Sequence, residues 1–116
     1  MDKEEMQRRT KRFALSIMRF TGTLPRGRVP DIIARQLLRS ATSVGANYRL
    51  ACLARSKADF VSKLGVVAEE SDESRYWLEL LVEGGICKDG PVQSLMREAS
   101  ELTSIVVASI KTARDG

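Results

Sequence analysis

The segment AEESDES, residues 68–74, holds the densest group of carboxylates in the chain. Within it, Glu70 and Glu73 are three residues apart, so on a helix they lie on one face. Paired carboxylates can exchange protons as general acid and base, and they can bind a divalent cation. They can equally accept hydrogen bonds from arginines of a neighbouring helix. We expect ion pairing here, with Arg39 or Arg49 as the partner, from the same chain or from a second copy.

Histidine is absent from the chain of 116 residues, and this absence closes most routes to catalysis. Ser-His-Asp and Cys-His mechanisms, zinc sites that use histidine and the Glu-x-x-His pairs of di-iron bundles all need that residue. Cys52 and Cys87 lie far apart and form no C-x-x-C pair, which indicates reduced thiols. The sequence therefore predicts no catalytic residue, no metal, no cofactor and no small-molecule substrate, and thus no enzyme.

A second polar group lies on the predicted second helix. Ser40 and Asn47 follow alternating steps of four and three residues, the spacing of a bundle seam. A buried amide without a hydrogen bond costs about 1–3 kcal/mol, so we expect Asn47 to bond Ser71, Ser74, Glu70 or a backbone carbonyl. The predicted polar seam comprises Arg39, Ser40, Asn47, Arg49, Glu70 and Glu73.

Small residues accompany this seam. Gly45 inside a helix costs about 1 kcal/mol relative to alanine, and Ser40, Ala41, Ser43 and Ala46 add almost no side-chain thickness around it. Such a surface lets a neighbouring backbone approach closely. We favour that packing role over a ligand cleft.

Positive charge is concentrated in the first half of the chain. Residues 1–30 hold eight Lys or Arg against three Asp or Glu, whereas residues 56–90 hold four against eight. This asymmetry suits contact with nucleic acid or contact between copies of the same chain. Aromatic residues that could stack bases are few, so we expect weak, salt-sensitive binding without sequence readout. The candidate phosphate contacts are Arg8, Arg9, Lys11, Arg12, Arg26, Arg28, Arg35 and Arg55.

Four helices must position these residues, because apolar residues recur at helical spacing and no strand-like alternation is present. Glycines and prolines mark their ends. Ser56 and Asp59 read as a capping box that starts the third helix after a tight turn. We predict one all-α domain over residues 1–116, an antiparallel up-down-up-down four-helix bundle. The predicted helices are residues 3–21, 30–54, 56–84 and 91–113.

Tyr76 and Trp77 lie at the flank of the third helix's apolar stripe, which is typical of a subunit contact. The N-terminal segment MDKEEMQRRTKRF is densely charged and has no apolar region of the kind found in signal peptides. No apolar run is long enough to span a membrane. We therefore expect a cytoplasmic protein without membrane contact.

The stretch QLLRSATSVGANYRLA, followed by SKADFVSKLGVVAEESDESRYWLELL, resembles the small proteins encoded by intervening sequences of bacterial 23S ribosomal RNA genes. The resemblance covers about residues 10 to 112. Its most specific parts are Leu38–Ser40, Ser43–Asn47, Lys57–Phe60 with Lys63 and Leu64, and Tyr76–Leu81.

This resemblance implies an antiparallel four-helix bundle that assembles as a ring-like homopentamer. It also implies kinship with the accessory proteins of diversity-generating retroelements, which are basic pentameric bundles that bind a reverse transcriptase and nucleic acid. Many family members have Ala-Glu-Gly after the Asn, whereas this chain has Tyr48, Arg49 and Leu50. An acidic position has thus become basic, which makes this chain more like the basic branch. The family has no established catalytic residues that could be transferred.

Two functions remain open at this stage. The first is a non-catalytic homo-oligomeric bundle that contacts RNA or DNA, or a nucleic-acid enzyme such as a reverse transcriptase, through its basic surface. The alternative is a purely protein-binding scaffold in which the basic first two helices of one copy meet the acidic third helix of the next.

Overall fold

The computed structural model describes residues 1–116, and its amphipathic segments form four α-helices. The helices are α1 (Lys3–Thr21), α2 (Arg28–Cys52), α3 (Lys57–Glu83) and α4 (Asp89–Asp115). α1 packs against α2 and α4, and α3 packs against α2 and α4, so α1 lies diagonally across from α3. The bundle is 46 Å long and 19 Å across, which matches the roughly 40 Å length of a 27-residue helix.

Contacts between polar side chains show that α3 and α4 are antiparallel. Between α3 and α4, Ser71 Oγ lies 2.7 Å from Thr103 Oγ1. Arg75, one turn later on α3, reaches Ser100, about one turn earlier on α4. The predicted fold class, an all-α four-helix bundle, is confirmed.

Each helix contributes one apolar stripe to a single core. Ile17, Leu37, Leu78 and Leu102, one from each helix, are completely buried. Full burial of such a side chain contributes about 1.5–3 kcal/mol. The packing of four apolar stripes therefore holds the bundle together. No helix has both the length and the apolar character that crossing a membrane requires.

Two helix starts differ from the predicted bounds because prolines are tolerated throughout the first turn. α2 was predicted over 30–54, but it begins at Arg28 and ends at Cys52. Pro30 is its third residue, where the missing N–H would have no partner in the helix anyway. Pro91 has the same position in α4, which begins at Asp89. A proline in the first turn therefore locates the start of a helix only to within a few residues.

The start of α3 is half of the predicted capping box. Ser56 Oγ accepts a hydrogen bond from the Asp59 amide at 3.1 Å. Asp59 does not reach back to Ser56; its carboxylate accepts from Lys63 Nζ at 2.6 Å. A lysine one turn away competes for the carboxylate as an i, i+4 partner. The hydroxyl alone therefore caps the helix.

The end of α3 is a Schellman motif. Gly85 has φ 73°, and its N–H donates to Val82 O at 3.0 Å. The Ile86 N–H donates to Leu81 O at 2.9 Å. These bonds satisfy carbonyls that would otherwise be orphaned at the helix end. A left-handed glycine therefore turns the chain toward α4.

We expect Gly85→Ala to lower the free energy of unfolding by about 1 kcal/mol, because a Cβ disfavours the left-handed conformation. Gly65 offers a matched control, since it lies within α3 and a Cβ added there meets nothing within 4 Å. Gly65→Ala should raise the free energy of unfolding by about 0.5–1 kcal/mol. Urea denaturation measures both, and equal stability of the two variants would contradict the assignment.

Candidate functional site

The carboxylates of Glu70 and Glu73 are held by an arginine of the same chain. Arg39 Nη1 donates to Glu70 Oε2 at 3.1 Å, and its Nη2 donates to Glu73. Trp77 Nε1 also donates to Glu73, at 3.0 Å. No group of three or more Cys, Asp or Glu residues could hold a metal ion. Both carboxylates therefore serve to join α2 and α3.

A layer of hydroxyl groups crosses the bundle beside this ion pair. Ser40 Oγ of α2 and Ser74 Oγ of α3 are 2.9 Å apart, and both residues are fully buried. Ser71 is equally buried and meets Thr103 of α4. No buried side-chain nitrogen or oxygen lacks a hydrogen-bond partner. The layer is thus a satisfied structural network that joins three helices.

Asn47 lies at the edge of the seam and not in the core. It is half-buried, and its Nδ2 donates to Ser43 O, one turn earlier on α2, at 2.9 Å. This is the backbone-carbonyl partner among those expected, and the amide bonds neither Glu70 nor the serines of α3. Tyr48 takes the buried position, with 7% of its surface exposed. The core stripe of α2 continues from Val44 by four residues instead of three.

Burial raises the pKa of Tyr48 to about 12, and nearby Cys52 raises it further. The phenol in the unfolded chain ionises near pH 10.0. The stability that the neutral Tyr48 phenol contributes to the folded state is therefore fully present below that pH. It is lost as the pH rises toward 12. We expect the urea midpoint to fall over this window, and to fall less in Tyr48→Phe. Parallel pH profiles of the two proteins would contradict this.

Two of the eight candidate phosphate contacts are paired with carboxylates. Arg9 donates twice to Glu98, at 2.7 Å each, and once to Glu101 at 2.6 Å. Its side chain is only 19% exposed, and hydrogen bonding to Glu98 raises its pKa above the ordinary range. Arg9 therefore joins α1 to α4, and it is not a free surface cation as the sequence suggests.

Arg26 pairs with Asp31 at 3.1 Å, but 90% of its side chain is exposed. Hydrogen bonding to Arg26 lowers the pKa of Asp31. The six other candidates are exposed and make no salt bridge: Arg8, Lys11, Arg12, Arg28, Arg35 and Arg55.

A groove of about 530 Å³ between α1 and α2 brings Arg8 and Lys11 together with Arg49. Sequence reasoning assigned Arg49 to the polar seam and missed this grouping. The position of Gly45 could have indicated it, because Gly45 sets the register of α2 against α1. α1 and α2 meet closely at Gly45, where an added Cβ would lie 3.2 Å from Thr10 Oγ1. Arg49, one turn beyond Gly45, is therefore level with residues one turn before Thr10.

Tyr76 and Trp77 form an edge-to-face pair on α3, with ring centroids 5.1 Å apart. Tyr76 is 51% exposed, whereas Trp77 is held by Glu73. The two thiols lie toward opposite ends of the bundle, since Cys52 ends α2 and Cys87 follows α3, and both are free. The long helix α3 separates them, so they cannot form a disulfide within the chain.

A family model described as "23S rRNA-intervening sequence protein" matches residues 2–108. A solved structure from Bacteroides thetaiotaomicron, described as a protein with unknown function from the S23 ribosomal protein family, is 32% identical, with a TM-score of 0.87. The match covers 96% of this chain and 99% of that one. No curated protein matches the sequence.

Proposed function

The chain belongs to the 23S rRNA-intervening sequence protein family, and from that premise we propose that it is a non-catalytic, homo-oligomeric helical bundle. It associates with nucleic acid, or with an enzyme that acts on nucleic acid, through the basic surface of α1 and α2. The oligomer is a pentamer, the assembly that the family resemblance implies.

The distribution of unpaired charge is the observation that supports this function best. Only two arginines, Arg9 and Arg39, pair with carboxylates of another helix. Their partners are Glu98 and Glu101 of α4 and Glu70 and Glu73 of α3. Apart from Arg39 itself and Arg26, which pairs with Asp31, the exposed cations of α1, α2 and the loops that flank α2 make no salt bridge. An uncompensated positive surface attracts polyanions and concentrates them near the protein.

The non-catalytic assignment is supported by the state of the polar side chains. The chain has no histidine. Arg39 and Trp77 occupy the paired carboxylates of Glu70 and Glu73, and Arg9 occupies those of Glu98 and Glu101. The buried serines bond one another or backbone carbonyls. No nucleophile stands beside a base, which is the arrangement that covalent catalysis requires.

Filter binding of structured RNA and of duplex DNA tests the proposal. We expect retention at low salt that falls steeply between about 50 and 200 mM salt, as it does when phosphate contacts dominate binding. Absence of retention at the lower concentration would contradict nucleic-acid contact. Light scattering tests the assembly, and a monomeric mass at micromolar concentration would contradict it.

A protein-only scaffold is the second candidate, and the outer face of α3 favours it. Val66 and Tyr76 are 40% and 51% exposed, and Glu69 and Asp72 are exposed without a salt bridge. Apolar area beside free carboxylates complements the basic α1–α2 surface of another copy. Glu69 and Asp72 are better candidates for this contact than Glu70 and Glu73, which Arg39 already neutralises.

Charge reversal separates the two candidates. If copies meet through this face, Glu69→Lys with Asp72→Lys should lower the mass measured by light scattering. Asp89→Lys with Asp115→Lys, on α4, changes the net charge equally and should leave the mass unchanged. A smaller mass in the α3 variant, together with no RNA retention by the wild-type protein, would favour the scaffold.

A further inference from the structure

We propose that the α1–α2 groove binds the phosphate backbone of a single nucleic-acid strand through Arg8, Lys11 and Arg49, without reading the bases. This inference rests on the proposed function and assigns it to one site. Arg49 belongs to this site only because the fold brings α2 alongside α1.

Charge is the first argument for the site. Arg8, Lys11 and Arg49 line one groove, and none of them makes a salt bridge. Glu4 is the one carboxylate in the lining. Three like charges in one concave surface repel one another, and a chain of phosphates relieves that repulsion while releasing its own counterions.

Shape restricts the ligand to one strand. Gly45 and Ala46 line the groove and add no bulky side chain to it, and Gly45 lies against Thr10 where the two helices meet. Helices in contact have axes about 8–10 Å apart. The valley that two such helices form is narrower than a duplex, whose major groove alone is about 12 Å wide, so a duplex meets only its outer edges, whereas an extended strand can lie along it. A single strand can therefore reach all three cations at once.

The lining also excludes base recognition by stacking. None of the groove residues is aromatic. Tyr76 and Trp77 lie on α3, which is diagonal to α1. Sequence-tolerant binding of single strands usually draws about 1–3 kcal/mol per base from aromatic stacking. Without it, affinity comes from phosphates, so base identity has little effect and salt has a large one.

Fluorescence anisotropy with labelled oligothymidylate, oligoadenylate and a duplex of equal length tests this. The groove variant combines Arg8→Ala, Lys11→Ala and Arg49→Ala. The control combines Arg97→Ala, Lys111→Ala and Arg114→Ala, three exposed cations of α4 with no salt bridge. The wild-type protein and the control should bind the two single strands within about threefold of each other and more tightly than the duplex.

The groove variant should bind single strands at least about tenfold more weakly at low salt. Its slope of log affinity against log salt should be shallower by about 2, at roughly 0.7 per lost phosphate contact. Glu4→Gln should tighten binding by about two- to threefold, an increase that unfolding cannot produce.

The outcomes separate the two levels of the proposal. A groove variant that binds like the wild-type protein, with the same salt slope, would overturn this site and leave the proposed function standing. Preference for the duplex would overturn the single-strand assignment. If the wild-type protein binds none of the three probes, the nucleic-acid contact in the proposed function fails and the site fails with it.

Discussion

Gly45→Val should lower the free energy of unfolding by about 2–3 kcal/mol, the upper part of the range of about 1–3 kcal/mol that overpacking typically costs. A Cβ at this position lies 3.2 Å from Thr10 Oγ1 and 3.5 Å from the Thr10 backbone carbon. Valine adds two further methyl groups, which have to displace α1 from α2. Gly45→Ala should be nearly neutral, because the gain in helix propensity of about 1 kcal/mol offsets a contact that is only slightly short.

Urea denaturation of the series checks this, with Gly65→Ala as the control for helix propensity alone. Combining Gly45→Val with Thr10→Ala should recover part of the loss, because Thr10→Ala removes Oγ1, the nearest of the atoms that the valine meets. Positions in contact couple by about 0.5–3 kcal/mol. Strict additivity of the two changes would mean that Thr10 is not what limits the approach of the helices.

Arg9→Ala should lower the free energy of unfolding by about 1–2 kcal/mol and leave nucleic-acid binding unchanged. Hydrogen bonds to charged groups contribute about 1.5–3 kcal/mol, and partial exposure of the pair reduces that value. The change removes three such bonds, and it leaves Glu98 and Glu101 as like charges three residues apart on α4. α1 would lose its main polar link to α4.

Arg8→Ala is the matched control, because Arg8 is adjacent in sequence, exposed and without a salt bridge. It should change stability by less than about 0.5 kcal/mol and weaken binding of a single-stranded oligonucleotide. Chemical denaturation and anisotropy, measured on both variants, should show that Arg9→Ala lowers stability but not binding, and that Arg8→Ala lowers binding but not stability. Weaker oligonucleotide binding by Arg9→Ala, with unchanged stability, would contradict this and indicate that Arg9 contacts phosphate.

The fold could be predicted in outline because its signals are local. Apolar spacing marks each helix, and the ends coincide with Ser56, Gly22, Gly84 and Gly27 within a residue or two. The errors of two residues at the starts of α2 and α4 arose at prolines. A proline is acceptable at any of the first positions of a helix, so its presence indicates a start without locating it.

The polar seam was predicted in part. Ser40 is buried, as its seam spacing indicates, whereas its partner Ser74 was one of the partners expected for Asn47. Tyr48 and Asn47 are the exception. Steps of three and four are both allowed after Val44, and residue types alone do not distinguish them. Packing of the bulky Tyr48 ring in the core decided the rotation of α2 at that point.

The sequence by itself determined that this protein is an all-α bundle with a basic first half and no histidine chemistry. Those properties depend on composition and on the periodicity of neighbouring residues. Only the tertiary structure decided which charges are free. Arg8 and Arg9 are adjacent, but the rotation of about 100° between successive helical residues points Arg9 at α4 and Arg8 into the groove. Ion pairs form over a few ångströms, so the register between helices decides them, and no local pattern encodes that register. It pairs Arg39 with Glu70 and leaves Arg49 without a carboxylate partner.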